Sequence, residues 1–438
     1  EVLDSSNAIW KPFFATHVAN DFLQWGKYAE AKKELDKIPP LIETASREKM
    51  SQAAQRGLLR GKYYYSFVLS VYETRVGKLN DSIESAANAE KFARQAYSIQ
   101  LSNHDNYERI NLAADVGNAL ARKSQSFRAA GKFFEAEQSL REYLRFSSEA
   151  ELPASFRSDL YTIASNLRFA QREFEASEKF ARISDDILKG LEIGPLNPSR
   201  TNKKRDIFIA LAGQKKWPQA LAEIKQLDEL AKVDEQANKR IAYNFDRAYI
   251  YLGNQMAEQA APLFEKVAAF NKNLYSEGHY YIAQSQGLQG VALWRIGTPE
   301  SKASGLKLLQ SAVENIVHPR NADYLDQFGI RPDIRQLIIA TYIECVSELE
   351  PSRVVHALGL ADWLRSGSVQ EALSDAALRA AANTQGLSEL VRKDQDAKNE
   401  INGLRSYLQG STGEAQTNLP EVAAQIRSRI NTLEKDRS

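Results

Sequence analysis

Apolar residues recur at helical spacing along nearly the whole chain, and no stretch alternates apolar and polar residues as a half-buried strand does. That pattern restricts the chain to helix packed on helix. Glycine (22) and proline (13) among 438 residues both fall below the average use of roughly 7% and 5%, which disfavours turn-rich β architecture. A chain of this length exceeds one ordinary core, so it forms either two or three compact domains or one elongated array.

A repeated phrase selects the array. Residues 26–31 read GKYAEA and residues 131–136 read GKFFEA, each followed by an amphipathic run. With the alanine as anchor, the positions four and seven residues on lie on the same helix face. Ala31 is followed by Leu35 and Ile38, and Ala136 by Leu140 and Tyr143. Weaker copies start at Ala89, Ala220, Ala260 and Gly305, and a degraded one lies in REFEASEKFA, 172–181. The later anchors recur every 40 to 45 residues, which is helix, turn, helix. In this reading the glycine permits the turn, the aromatic plugs the angle between the paired helices, and the small anchor permits close approach. One pair cannot cover its apolar face, so pairs must stack.

These phrases resemble tetratricopeptide repeats, whose usual period is about 34 residues. The longer spacing is similar to the variant with extended helices found in kinesin-light-chain-like arrays. The resemblance covers about 8–350 and implies an all-α, right-handed superhelical solenoid whose concave wall is lined by the first helix of each pair. Residues 351–438 are expected to form a separate helical connector.

In that connector, ADWLRSGSVQEAL (361–373) resembles the segment that follows the repeats in bacterial TPR–CHAT proteins, and LSELVRKDQDAKNEINGLRSYL (387–408) resembles their next helix. Trp363, Ser366 and Gly367 depart from the usual residues. The resemblance implies a caspase-like CHAT protease domain following about Ser438, regulated in cis by the array. The one cysteine, Cys345, precedes the connector and matches no nucleophile of that family. Leu387, Leu390, Asp394, Ala397, Ile401, Leu404 and Leu408 form a coiled-coil seam with one polar interruption. After a turn at 410–418, Val422, Ile426, Ile430 and Leu433 give a second apolar face, so an antiparallel hairpin of 387–409 with 419–436 is expected. The hairpin either caps the array or dimerises a free-standing adaptor.

No enzyme is expected in this chain. It has no phosphate-cradling loop, no dinucleotide fingerprint and no HExxH. His17, His104, His279, His318 and His356 include no pair at the i, i+4 spacing of helical metal ligands, so no metal or cofactor is expected. Lys plus Arg (57) nearly cancels Asp plus Glu (56), which gives no field to attract nucleic acid. The most apolar run, 337–343, is far short of the roughly 18 residues a membrane span needs. Because the first residue is Glu1, no compartment is legible: cytoplasm fits, as does the periplasm or exterior if a leader preceded it.

The expected partner is a protein or peptide in the concave groove. The family's groove positions, counted back from the anchors, give Thr16, Asn20, Gln24, Asn118, Arg122, Gln125, Asn202, Arg205, Phe245 and Tyr249, with Arg122 one place off the strict offset, which falls on Ala121. Arg200, Lys203, Lys204 and Arg205 lie in a basic stretch that reads as an inter-repeat loop entering a helix. Of Tyr63, Tyr64 and Tyr65, one or two are expected to reach a surface, since consecutive residues cannot all face inward.

Overall fold

The computed structural model describes residues 2–25, 27–47, 50–75, 78–100, 106–232, 234–236, 241–274, 280–317, 332–355 and 357–361, with 397, 401, 404, 428–433 and 435. Among the described residues there are helices and no strand. Two compact units divide the chain within one helix near residue 225. The boundary expected after 350 falls inside the second unit, and most of 362–438 lies outside the described residues.

The first unit contains α1 (Val2–Gln24), α2 (Tyr28–Ser46), α3 (Gln52–Arg75), α4 (Leu79–Gln100), α5 (Asn106–Ala129), α6 (Phe133–Glu149), α7 (Ala154–Ala170), α8 (Phe174–Gly190) and α9 (Pro198–Gly213). α10 (Trp217–Ala231) belongs partly to each unit. The second holds α11 (Asn244–Gly253), α12 (Ala257–Leu274), α13 (Tyr280–Ile296), α14 (Pro299–Ile316) and α15 (Pro332–Leu349). In each unit helices pack in consecutive pairs, α1 with α2 through α7 with α8 and α11 with α12 and α13 with α14, and each pair packs on the next. This is the all-α solenoid arrangement that the repeated phrase demands.

One turn joins first helix to second in six of the seven described pairs. The residue just before the second helix donates its backbone N–H to the carbonyl five residues back: Lys27 to Phe22, Lys78 to Glu73, Lys132 to Phe127, Glu173 to Arg168, Lys216 to Leu211 and Met256 to Tyr251, at 2.8–3.0 Å. That bond closes the helix end in the Schellman manner and requires a left-handed residue beside it. Gly131 (φ 71°) and Gly297 (φ 86°) supply it at no steric cost, whereas Arg172, Lys215 and Gln255 adopt φ of 60–64° with a side chain attached.

The turn fixes the true register. The third residue after the start of each second helix is Ala31, Ser82, Ala136, Ser177, Ala220, Ala260 and Lys302. All but Lys302 are fully buried. The expected anchors Ala89 and Gly305 are buried too, but farther along their helices. Ser82 and Lys302 hold the equivalent place, and Ser177 does so in the degraded copy. Corrected anchors from Ala136 onward still recur at 40 to 43 residues, at 136, 177, 220, 260 and 302. Where the anchor carbonyl faces its partner helix, a serine serves it: Ser124 donates to Ala136 and Ser165 to Ser177, at 2.9 and 2.8 Å.

The aromatic does more than its expected role. Phe174 opens α8, and its ring lies 5.3 Å from that of Phe169 within its own pair and also against Gly213 of the following pair. Trp217 meets Gly253 in the same way. The small residue that matters at this joint is therefore the glycine near the end of the next first helix. Of the apolar positions of the expected hairpin, Ile401, Leu404, Ile430 and Leu433 are buried and Ala397 is half-buried; Leu387, Leu390, Asp394, Leu408, Val422 and Ile426 lie outside the described residues.

Candidate partner-binding face

The first helices α3, α5, α7 and α9 touch their neighbours in turn, so one face of each runs beside the next. Counting back 18 residues from the structural anchors reaches Phe13, Tyr64, Asn118, Asp159 and Asn202. All five are half-buried or exposed. Counting back 11 reaches Asn20, Val71, Gln125, Asn166 and Ile209, all half-buried. Two accessible rows therefore run along successive first helices of the first unit.

Between and beside these rows, charged groups staple α3 to α5. Arg56 donates to both carboxylate oxygens of Glu108 at 2.7 Å, and Arg60 donates to Asp115 at 2.9 Å. Burial pushes the Asp115 carboxyl up to about 6, although Arg60 pulls the other way. Arg122 is buried. It donates through Nε to the Ser70 hydroxyl at 2.9 Å, through Nη2 to the Ser70 carbonyl at 3.0 Å, and to Thr74. Burial, with Arg75 and Arg128 nearby, lowers its guanidinium to about 9, so it stays charged at neutral pH. Burial would also raise Glu90 on α4, but hydrogen bonds from Lys123 and Arg94 outweigh it and hold that carboxylate below its ordinary range.

The ten sequence-derived positions therefore separate. Asn20, Asn118 and Gln125 are half-buried on the accessible rows, Gln24 and Asn202 are exposed, and Arg205 is half-buried. Thr16 is fully buried with its hydroxyl on the Pro12 carbonyl at 2.7 Å, so it faces no guest. Arg122 is a clamp between helices rather than a groove residue. In the second unit, Tyr249 is buried, with its hydroxyl on Asp333 at 3.1 Å and its ring against Trp217. Phe245 is half-buried with its ring 6.1 Å from Phe264.

Sequence reasoning missed Asp159 and Asn166 on α7, because Glu-Ala-Ser in the degraded copy hides an anchor one residue later, at Ser177. It also missed Tyr64 as a row position, because GKLNDS (77–82) is a further copy of the phrase with Ser82 in place of alanine, and Phe13, because the 18-residue step was not taken from Ala31. Those two join His17 in an aromatic cluster: His17 lies 4.4 Å from Tyr64 and 4.5 Å from Phe13 between ring centroids, with the Tyr64 hydroxyl 3.2 Å from Nδ1. Tyr63 is core, and Tyr64 and Tyr65 are half-buried. The other four histidines lie outside the described residues.

The basic stretch is spent internally. Asn197 caps α9 by accepting from the Ser199 N–H, Arg200 forks onto both oxygens of Asp185 at 2.8 and 3.2 Å, and Lys204 lies 3.7 Å from the same group. Lys203 is buried and its ammonium is pushed down by that burial. Among the described residues no cluster of three metal-ligating side chains occurs, and no described helix is long and apolar enough to cross a membrane.

No protein-family model matches the chain, and no curated protein does. Several solved structures are similar in part. BtubC (BKLC) from P. vanneervenii is 16% identical with a TM-score of 0.41, over 55% of this chain and 94% of that one. The apo form of RapI is 9% identical with a TM-score of 0.46, over 96% and 98%. A Rap protein complexed with Competence and Sporulation Factor is 11% identical with a TM-score of 0.45, over 98% of each. At these scores the assignment of fold rests on the chain's own helices and turns.

Proposed function

We propose that this chain is a non-enzymatic helical-repeat scaffold that binds an extended protein segment along the first-helix face of its N-terminal unit. The observation that carries this is the row Tyr64, Asn118, Asp159, Asn202, one accessible side chain per successive first helix. Amide and carboxylate groups at a regular step can hydrogen-bond a peptide backbone, and the Phe13–His17–Tyr64 cluster supplies an apolar anchor at one end. Peptides selected from a random display library on the full chain test it. The triple variant Asn118→Ala, Asp159→Ala, Asn202→Ala should weaken the selected peptides at least tenfold. Equal binding by that variant removes the face from consideration.

A second reading concerns the connector. ADWLRSGSVQEAL favours a role as the regulatory half of a TPR–CHAT polypeptide, in which groove occupancy is passed to a downstream protease in cis. The gene beyond Ser438 decides it: a His and Cys pair in a caspase-like domain is the expected content. The adaptor alternative predicts a dimer by light scattering that is lost on deleting 385–438. Burial of Ile401, Leu404, Ile430 and Leu433 within a single chain favours a capping hairpin instead.

A further inference from the structure

Lys302 breaks the anchor rule. Every other second helix places a buried Ala or Ser three residues after its start, but α14 places a lysine there. Its Nζ lies 4.5 Å from the ring centroid of Trp294 at the end of α13 and 2.6 Å from Glu348 on α15. A four-carbon stem stands where neighbouring pairs carry one carbon or a short hydroxyl-bearing side chain. A cavity of about 480 Å³ opens beside it.

The lining has a definite chemistry. Lys302 and Arg295 are positive, Glu344 and Glu348 are negative, Thr341 offers a hydroxyl, and Trp294 and Leu337 form the apolar wall. Glu344 is exposed one turn before Glu348 on α15 and makes no hydrogen bond or ion pair among the described residues. A phosphate or other bare anion would meet two carboxylates, and a bare cation would meet Lys302 and Arg295. A molecule carrying both charges satisfies both pairs. The volume lies within the roughly 300–1,000 Å³ of small-molecule sites.

We propose that this cavity binds a free α-amino acid, with its carboxylate between Lys302 and Arg295 and its ammonium against Glu344 and Glu348. An apolar side chain then rests on Trp294 and Leu337. The ligand competes with the Lys302–Glu348 pair, so its binding loosens a contact between α14 and α15 that the empty cavity keeps. This site is independent of the peptide-binding face.

Isothermal titration of the full chain with each of the twenty L-amino acids tests it, followed by the N-acetyl and C-amide forms of the tightest binder. Expected are one-to-one binding with a submillimolar Kd and at least tenfold weakening on capping either end. Lys302→Met and Glu344→Gln should each weaken binding at least tenfold. Glu344 is exposed with no internal hydrogen bond to lose, so its variant retains the fold, checked by circular dichroism. Failure of all twenty to bind, equal binding of capped forms, or normal affinity in Glu344→Gln overturns the proposal.

Discussion

The ring of Phe174, at the start of α8, stands where a Cβ on Gly213 at the end of α9 would lie 2.5 Å from it; Trp217 repeats the relationship on Gly253 at 2.3 Å. Each joint carries the same polar latch. Gln214 donates to the Phe174 carbonyl at 3.3 Å, and Asn254 donates to the Trp217 carbonyl at 2.9 Å. A methyl added to either glycine must push a ring or a helix aside. Gly213→Ala and Gly253→Ala should each cost about 1–3 kcal/mol, the range for overpacking. Phe174→Leu in the Gly213→Ala background should recover part of the loss. Urea unfolding of the two singles and the double measures it.

The left-handed turn residues give a prediction of opposite sign. Arg172, Lys215 and Gln255 hold positive φ where Gly131 and Gly297 do so freely. A left-handed side-chain residue costs about 1–2 kcal/mol, and glycine's extra unfolded-state entropy returns part of that. Arg172→Gly, Lys215→Gly and Gln255→Gly should each raise the melting temperature, while Gly131→Ala should lower it. A melting temperature unchanged or lowered in all three glycine variants would contradict this account of the turn.

Arg122 is expected to act on stability and not on binding. Its guanidinium holds Ser70 and Thr74 of α3 from α5, and Ser82 and Ser126 share the same network. Arg122→Met removes the donor to the Ser70 hydroxyl and one of the donors to the Ser70 carbonyl, and a lost hydrogen bond to a charged group costs about 1.5–3 kcal/mol. Thermal unfolding should show that loss, while affinity for groove peptides at a temperature where the variant is folded should stay within twofold of the parent.

Glu73 makes the first unit sensitive to pH. It is buried at the end of α3 with Oε2 unpartnered, and burial raises its carboxyl from 4.5 to about 7. Asp81 reinforces the rise; a hydrogen bond from Ser85 and the charges of Lys78 and Arg122 oppose it. A raised carboxyl favours folding while it is protonated. Its contribution is complete below about pH 4.5 and is lost as pH climbs through 7. Glu73→Gln should therefore stabilise the protein at pH 8, by about 3 kcal/mol on the linkage relation, and have little effect at pH 4.5. Melting curves of both proteins at the two pH values check the sign.

Much of this was legible in the residues because helix faces and tight turns are local. Ala31 with Leu35 and Ile38, and Ala136 with Leu140 and Tyr143, are buried as their spacing demanded. The copies at Ala89 and Gly305 went astray because several small residues lie on one helix face, and spacing alone cannot choose among them. The turn does choose: the backbone bond from Lys78 to Glu73 selects Ser82, and the left-handed Gly297 selects Lys302.

The sequence by itself determined the helices, their pairing and the all-α stack, since periodicity, glycine turns and the need to cover apolar faces all act between near neighbours along the chain. Tertiary structure alone decided which side chains remained for a guest. Thr16, Arg122 and Tyr249 had groove spacing, yet packing against helices distant in sequence consumed them. Asp159 and Lys302 were unremarkable in the sequence and became accessible through what their neighbours left uncovered. Exposure is set by the partner helix, and no residue carries that information alone.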